Sequence, residues 1–407
     1  MLKKRILMIT IILTSILLSG CWDRMELNEL SITSASSMDI NKEGKWVISF
    51  QVVVPSAIPA AAGTVGRSNG HVPIEVYSTE GVTIKDAVSK SYLEASRKLY
   101  FGHNRVLIIG EDAAKAGINQ MIDLYLRNSD SRETVNVLIA SGDGRSILEQ
   151  LLSVQPIPGI GMERILEKQQ QYLSKIPYVR MYDLIKHQLS PSHSVLVPEI
   201  TISGGKEVTN LDQLHQTTVP SKLRLKRAAI IKHNKLVGWM SENEALGVSF
   251  LRDKVNYSSI SFACNPEKSA AKDSNYMVSH SKTTISIKQT EGKYEVTASI
   301  KIKGWLDETG CSENLLDPEI IDNMEKSLAK EVESLCSKAW TAILKSDADV
   351  AGISDVIYRK FPTQWKQMED DNINVLPKIN LKVKAKVHMK KVGLSNKGYN
   401  KLLKKDQ

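Results

Sequence analysis

Four cysteines in 407 residues are too few for a disulfide scaffold, and none lies within four residues of another, so neither a zinc ribbon nor a CxxC redox pair can be built from them. Beyond the first twenty residues no stretch reaches the ~18 consecutive apolar residues that a membrane-crossing helix needs, which excludes a multi-pass membrane protein. Catalytic signatures are missing too: there is no GxSxG elbow, no HExxH helix and no SxxK-to-SDN series. Ser203-Gly-Gly-Lys206 imitates a phosphate loop, but the first glycine of the GxxxxGK spacing is missing, Ile200 standing in its place just after Glu199, and Glu207 stands where Ser or Thr must follow. His187 and His193 lie six apart across Pro191, which suits solvated loop histidines better than two ligands on one helical face. The expectation is a protein that is not an enzyme and has no cofactor and no metal.

What is present is the composition of a folded chain, 42% apolar against 24% charged, long enough for two to four domains. It opens with Lys3, Lys4 and Arg5, then an apolar run from Ile6 to Leu18, the build of a secretory signal. The run ends in Leu18-Ser19-Gly20-Cys21, an aliphatic residue, two small residues and a cysteine, the lipobox of bacterial lipoproteins. The Cys21 thiol would take a diacylglycerol thioether before the bond after Gly20 is cut, and the cut would leave the Cys21 amine free for an N-acyl chain such as palmitate. Two acyl chains hold a protein stably at a bilayer where one is marginal.

The net charge of +9 is unevenly spread. From Lys378 to Gln407 there are ten lysines and one acid, Asp406, so the rest of the mature chain is slightly acidic. That basic end has no arginine and one aromatic, Tyr399, which argues against nucleic acid as a partner. The alternating lysines from Lys382 to Lys390 read as the solvated face of a strand, with attraction to anionic phospholipid as the sharper alternative.

Hydropathy patterns divide the chain into a signal at 1–20, a mixed α/β domain at 21–203, a small ββαβ domain at 204–264 and a C-terminal domain at 265–407. In the first, strands and helices alternate after a strand at Lys45 to Val54 and a breaker-rich loop from Pro55 to Pro73; helices are expected at Ile84 to Arg97 and Ala113 to Arg127. In the last, strands with one buried face at Lys293 to Lys303 and Leu381 to Lys390 flank a helix from Pro318 to Lys345, about 42 Å long, with Asp317 as N-cap. The fold class is therefore α+β: a multi-domain chain with mixed and largely antiparallel sheets, ending in a long helix packed on an antiparallel sheet. Of Cys264, Cys311 and Cys336, an odd number, at least one is unpaired, and Cys336 inside the helix reads as a small buried hydrophobe.

The most unusual polar cluster is Phe101-Gly-His-Asn-Arg-Val106. It reads as a turn that fixes the register of the strand after it, with a partner contact through His103, Asn104 and Arg105 as the alternative.

Three segments carry a resemblance. Gly20-Cys-Trp-Asp-Arg-Met-Glu-Leu-Asn-Glu-Leu30, Ser96 to Gly110 with Glu111 to Gly117 and Leu126 to Asp130, and Lys226 to Trp239 are similar, in that order, to the C subunits of nutrient germinant receptors of spore-forming bacteria, the Ger(x)C lipoproteins. The resemblance implies a non-enzymatic, lipid-anchored ectodomain on the outer face of the spore's inner membrane. It also implies partnership with A and B type membrane subunits, with no small-molecule ligand of its own. A solute-binding lipoprotein of an ABC-type transporter would share the signal and anchor, but that class wants two similar α/β lobes around a cleft.

Overall fold

The computed structural model describes residues 3–8, 26–58, 71–128, 130–265, 271–310, 314–371 and 373–391. Among them, two sheets hold the chain together. The larger is built from β1 (Leu30–Ile40), β2 (Trp46–Val53), β3 (Ile74–Gly81), β4 (Lys98–Tyr100), β5 (Val106–Ile109), β6 (Asn136–Ala140), β7 (Ser194–Gly204), β8 (Ser221–Lys232) and β9 (Lys235–Met240). Its order is β3-β2-β1-β5-β6-β7-β8-β9, with β4 beside the start of β1. The smaller sheet has the order β10-β11-β12-β13, from Ser258–Phe262, Ser274–Thr290, Lys293–Thr309 and Ile379–Lys391.

The centre of the large sheet is parallel, through β1, β5, β6 and β7, and both flanks are antiparallel. Parallel strands are covered on both faces, so they become continuous apolar runs. Val106-Leu-Ile-Ile109 and Val137-Leu-Ile-Ala140 are such runs, and every one of their residues is buried. Leu107, Ile109, Val137 and Ile139 face one helical layer that includes Met121 and Leu184; Val106, Ile108, Leu138 and Ala140 face another that includes Ile147 and Met162. Gln51, fully buried on β2, ties the second layer down. Its Oε1 accepts from Ser34 Oγ at 2.7 Å and from the Gly159 N–H at 2.9 Å, while its Nε2 donates to the Leu148 carbonyl at 2.7 Å. At Gly159 a Cβ would sit 2.6 Å from the Ser34 carbonyl oxygen, so the helix can approach the sheet this closely only without a side chain there.

In the smaller sheet β11 and β12 form a hairpin closed at Glu291-Gly292, both at positive φ. The long helix runs from Pro318 to Ser346 with Asp317 accepting from the Glu319 N–H at 3.0 Å, as the sequence predicts. Its buried stripe is the expected one, including Met324, Leu328, Val332, Ala339 and Ile343. Cys336 is free and buried, and Cys264 is disulfide-bonded.

The structure differs from expectation in four places. The last strand, β13, lies parallel to β12, because the long helix between them serves as the crossover that parallel strands require. The residues expected as a middle domain do not make a sheet of their own. The β8–β9 hairpin extends the large sheet from β7, while β10 pairs with β11. Leu196, Ala228, Ile230 and Met240 of the large sheet share one apolar core with the long helix, so the two sheets are joined through the helices packed between them. The helix expected to Arg97 ends at Lys90, and the one expected from Ala113 to Arg127 is two, Glu111–Ala116 and Asn119–Arg127, broken at Gly117 with φ +129°. The fourth difference is β1, which the hydropathy pattern does not announce. The buried apolar residues run from Ala35 to Met389, so the described part of the chain before Ala35 adds nothing to the core.

Candidate functional site

The turn singled out in the sequence lies between β4 and β5, where residues Phe101–His103 form one 3-10 turn. Phe101 packs edge-on against Phe50 at 5.9 Å between ring centres, which pins the turn to β2. The backbone then enters the sheet. The Arg105 N–H donates to the Ser34 carbonyl at 2.9 Å, and the Arg105 carbonyl accepts from the Asn136 backbone N–H at 3.1 Å and from its Nδ2 at 3.0 Å. Arg105 is thus a rung between β1 and β6, a structural role that its backbone fulfils and its side chain does not.

The three side chains diverge. His103 is exposed, its ring edge-on to Tyr100 at 5.6 Å. Asn104 points inward, its Nδ2 donating to Ser36 Oγ at 2.8 Å; burial holds the nearby Tyr125 phenol well above its ordinary pKa, with Asn104 pulling it partly back. The Arg105 guanidinium reaches Glu163 at 3.7 Å, an ion pair half open to solvent. Burial raises the Glu163 carboxyl above its ordinary pKa, with Arg105 pulling it back.

Around Arg105 a polar cleft of about 220 Å³ opens, lined by Asn104, Arg132, Glu163, Glu167 and Arg180 among others. Arg180 stacks on Tyr178, 5.3 Å from the ring centre, and leans on its hydroxyl at 3.3 Å. Three guanidinium groups beside two carboxylates suit recognition of a carboxylate or an acidic segment. Arg132, Glu163, Glu167 and Arg180 come from segments far apart in sequence and carry no local signal; only Asn104 and Arg105 are legible in advance.

The other residues considered from sequence fall elsewhere. Gly20 and Cys21 lie outside the described residues, as does Cys311. His187 and His193 are not the solvated loop residues expected. His187 Nε2 sits 2.7 Å from Arg252, and burial together with that cation drives its pKa down to about 3. His193 Nδ1 meets the Gln188 carbonyl at 2.8 Å, and its ring lies 4.9 Å from His233. Among the described residues no cluster of three or more metal-ligating side chains occurs, and no helix is long and apolar enough to cross a membrane.

The hairpin block Lys226 to Trp239 contributes a second polar constellation that sequence reasoning missed. Arg227 on β8 grips Glu199 on β7 with two bonds of 2.7 and 2.8 Å and stacks on Trp239 of β9 at 4.5 Å. Glu199 is 1% exposed, so the pair and the ring clamp three neighbouring strands.

A family model described as spore germination protein N-terminal domain matches residues 23–202, and a second, spore germination B3/GerAC like, C-terminal, matches residues 226–393. The chain is 28% identical over 402 residues to spore germination protein KC of Bacillus subtilis (strain 168), covering 97% of this chain and 98% of that protein. Spore germination protein A3 of the same organism is 22% identical over 406 residues, covering 98% and 100%. The crystal structure of the GerBC protein superposes with a TM-score of 0.54 at 16% identity, covering 88% of this chain and 97% of that one, a likeness of fold.

Proposed function

The chain belongs to the GerAC family of spore germination proteins, and from that membership we propose that it is the C-type subunit of a nutrient germinant receptor, anchored to the membrane by lipid on Cys21 and working in assembly with A and B type subunits. The observation that carries this reading is the position of the family match. It begins two residues after Cys21 and runs through both halves of the chain, so a lipobox stands at the head of a germination ectodomain. Relatives named spore germination protein KC, A3 and B3 support the assignment to a receptor. The disulfide at Cys264 suits a site outside the reducing cytoplasm, in keeping with the outer face of the spore's inner membrane.

The role is one of assembly and not of catalysis. The solute-binding alternative finds no support in the two sheets, a large one with a parallel centre and a small one with a single parallel pair, which do not form similar lobes. The test is a tagged chain, wild type or Cys21→Ala, expressed in spores lacking the native copy. Wild type is expected in the membrane fraction, to co-purify with A and B type subunits and to restore nutrient-triggered loss of optical density; the variant is expected to leave the membrane. Unchanged membrane retention of the variant would refute the anchor, and a wild-type chain that co-purifies with neither subunit would refute the assembly. Calorimetry against a panel of amino acids, sugars and nucleosides is expected to be silent; one-site binding tighter than ~100 μM, about 5.5 kcal/mol, would instead favour solute binding.

A further inference from the structure

The solvent face of the small sheet is a lysine array set by strand register. In β13, Lys382, Lys384, Lys386 and Lys390 are exposed, while Leu381, Val383, Ala385 and Val387 turn toward the long helix. The register aligns Lys386 with Lys301 of β12, and Lys301 with Lys282 of β11, so three ammonium groups stand in one row. In the adjacent row His388 faces Lys303, next to His280. Like charges directly opposite on neighbouring strands destabilise a sheet. Two nearby carboxylates are already engaged, Asp253 by Lys282 and Glu295 by Asn380. Among the described residues, no ion pair joins Lys301, Lys303, Lys384 or Lys386 to a carboxylate.

We infer that this face is a docking surface for anionic phospholipid headgroups, which lays the small sheet against the bilayer. Three observations favour a lipid surface over an acidic protein or a nucleic acid. None of the three strands contains arginine, the residue that gives carboxylate and phosphate partners fixed two-pronged geometry. The residues between the lysines on this face are hydroxyls, Thr284, Ser286, Thr297 and Ser299, with no exposed aromatic among them to anchor a shaped partner. Ammonium groups on strands ~4.8 Å apart form a flat lattice of point charges, which suits a fluid layer whose anions rearrange beneath it. The inference goes beyond the lipid-anchor reading and is tested without the anchor.

The test uses residues 22–407, which retain every strand and every described core residue, in sedimentation with vesicles of phosphatidylcholine alone or with one third phosphatidylglycerol. Binding to the anionic vesicles is expected to be at least ~10-fold stronger and to collapse in 0.5 M salt. Changing Lys301, Lys303, Lys384 and Lys386 together to Gln should weaken it about 10-fold or more, and changing the same four to Arg should preserve it. Changing four exposed lysines of the large sheet's side, Lys42, Lys85, Lys222 and Lys226, to Gln alters net charge equally and should leave most of the binding. Equal binding to both vesicle types overturns the inference, as does equal loss in the two Gln sets. If the Gln set on the small sheet keeps its vesicle binding but loses partner subunits in spores, the face belongs to an acidic protein and the inference is likewise overturned.

Discussion

Glu333 Oε1 accepts the backbone N–H of Ala385 at 2.8 Å, and two turns earlier on the same helix Glu325 Oε1 accepts that of Met389 at 2.6 Å. Eight residues of helix and four of strand cover nearly the same distance, so the long helix, antiparallel to β13, presents a carboxylate to two N–H groups on the open edge of the sheet. An edge strand left bare is a template for pairing with another chain. Replacing both glutamates by Ala is expected to lower stability by about 2–3 kcal/mol and to produce light scattering on heating. The double Gln variant keeps an acceptor at each position and should lose less than half as much. Denaturant melts and scattering at matched concentration decide it; an Ala pair as stable and soluble as wild type would show that the edge does not need its cover.

At the clamp on β7, β8 and β9, Arg227→Met is expected to cost about 2–4 kcal/mol, since it strands the Glu199 carboxylate, 1% exposed, without its cation. Arg227→Lys keeps the charge but loses the two-pronged contact and the flat stacking on Trp239, so it should fall between. A Glu199→Gln change in the Met background should recover part of the loss, read as a shift in the denaturation midpoint.

His187 makes the folded state sensitive to acid. Its folded pKa of about 3 lies below the ordinary 6.5, so between those values the unfolded chain binds a proton that the folded chain does not. Stability from this group is complete above pH 6.5 and is lost as pH falls, by about 1 kcal/mol at pH 5 after allowance for the partial exposure of the ring. Asp39, Glu163 and Asp349 have raised pKa values from burial and act in the opposite direction, so the comparison must be with a variant. His187→Gln should show a smaller loss between pH 7 and pH 5 than wild type; parallel curves would refute the assignment.

In the turn before β5, Asn104→Ala should lower stability by about 1–2 kcal/mol through the lost bond to buried Ser36. His103→Ala and Arg105→Ala should stay within about 0.5 kcal/mol, because one ring is exposed and the other side chain makes a loose, open ion pair. Those two variants therefore report on partner contact free of misfolding. Normal melts with lost co-purification of receptor subunits would place the partner at this turn, and normal co-purification would remove it from there.

The strands that could be read from the sequence are those with one wet and one dry face, such as Tyr294 to Ile302 with its regular alternation. The long helix was legible for the same reason, through its apolar stripe and Asp317 cap. β1 was not, although it lies in the middle of the large sheet. Thr33, Ser34, Ser36 and Ser37 are all buried there, three of them with hydrogen-bonded hydroxyls (Ser34 to Gln51, Ser36 from Asn104, Ser37 to Asp39), and so polar a buried strand leaves no apolar period to detect. The direction of β13 was hidden differently. Alternation in Leu381 to Met389 reveals a half-buried strand but not its sense, which the intervening helix decides. At the cleft, local sequence marks the turn of Asn104 and Arg105, but Glu163 and Arg180 arrive only through tertiary packing.

The place of β1 has a mechanical consequence. A pull on the chain's N-terminus acts along β1, which is held by β2 on one side and by β4 and β5 on the other. Such a load strains the rungs of both ladders together, in shear. A tether leaving from an edge strand would peel its hydrogen bonds one after another and yield at a much lower force. A load applied ahead of β1 would thus be shared by the rungs on both of its sides before any one contact gave way.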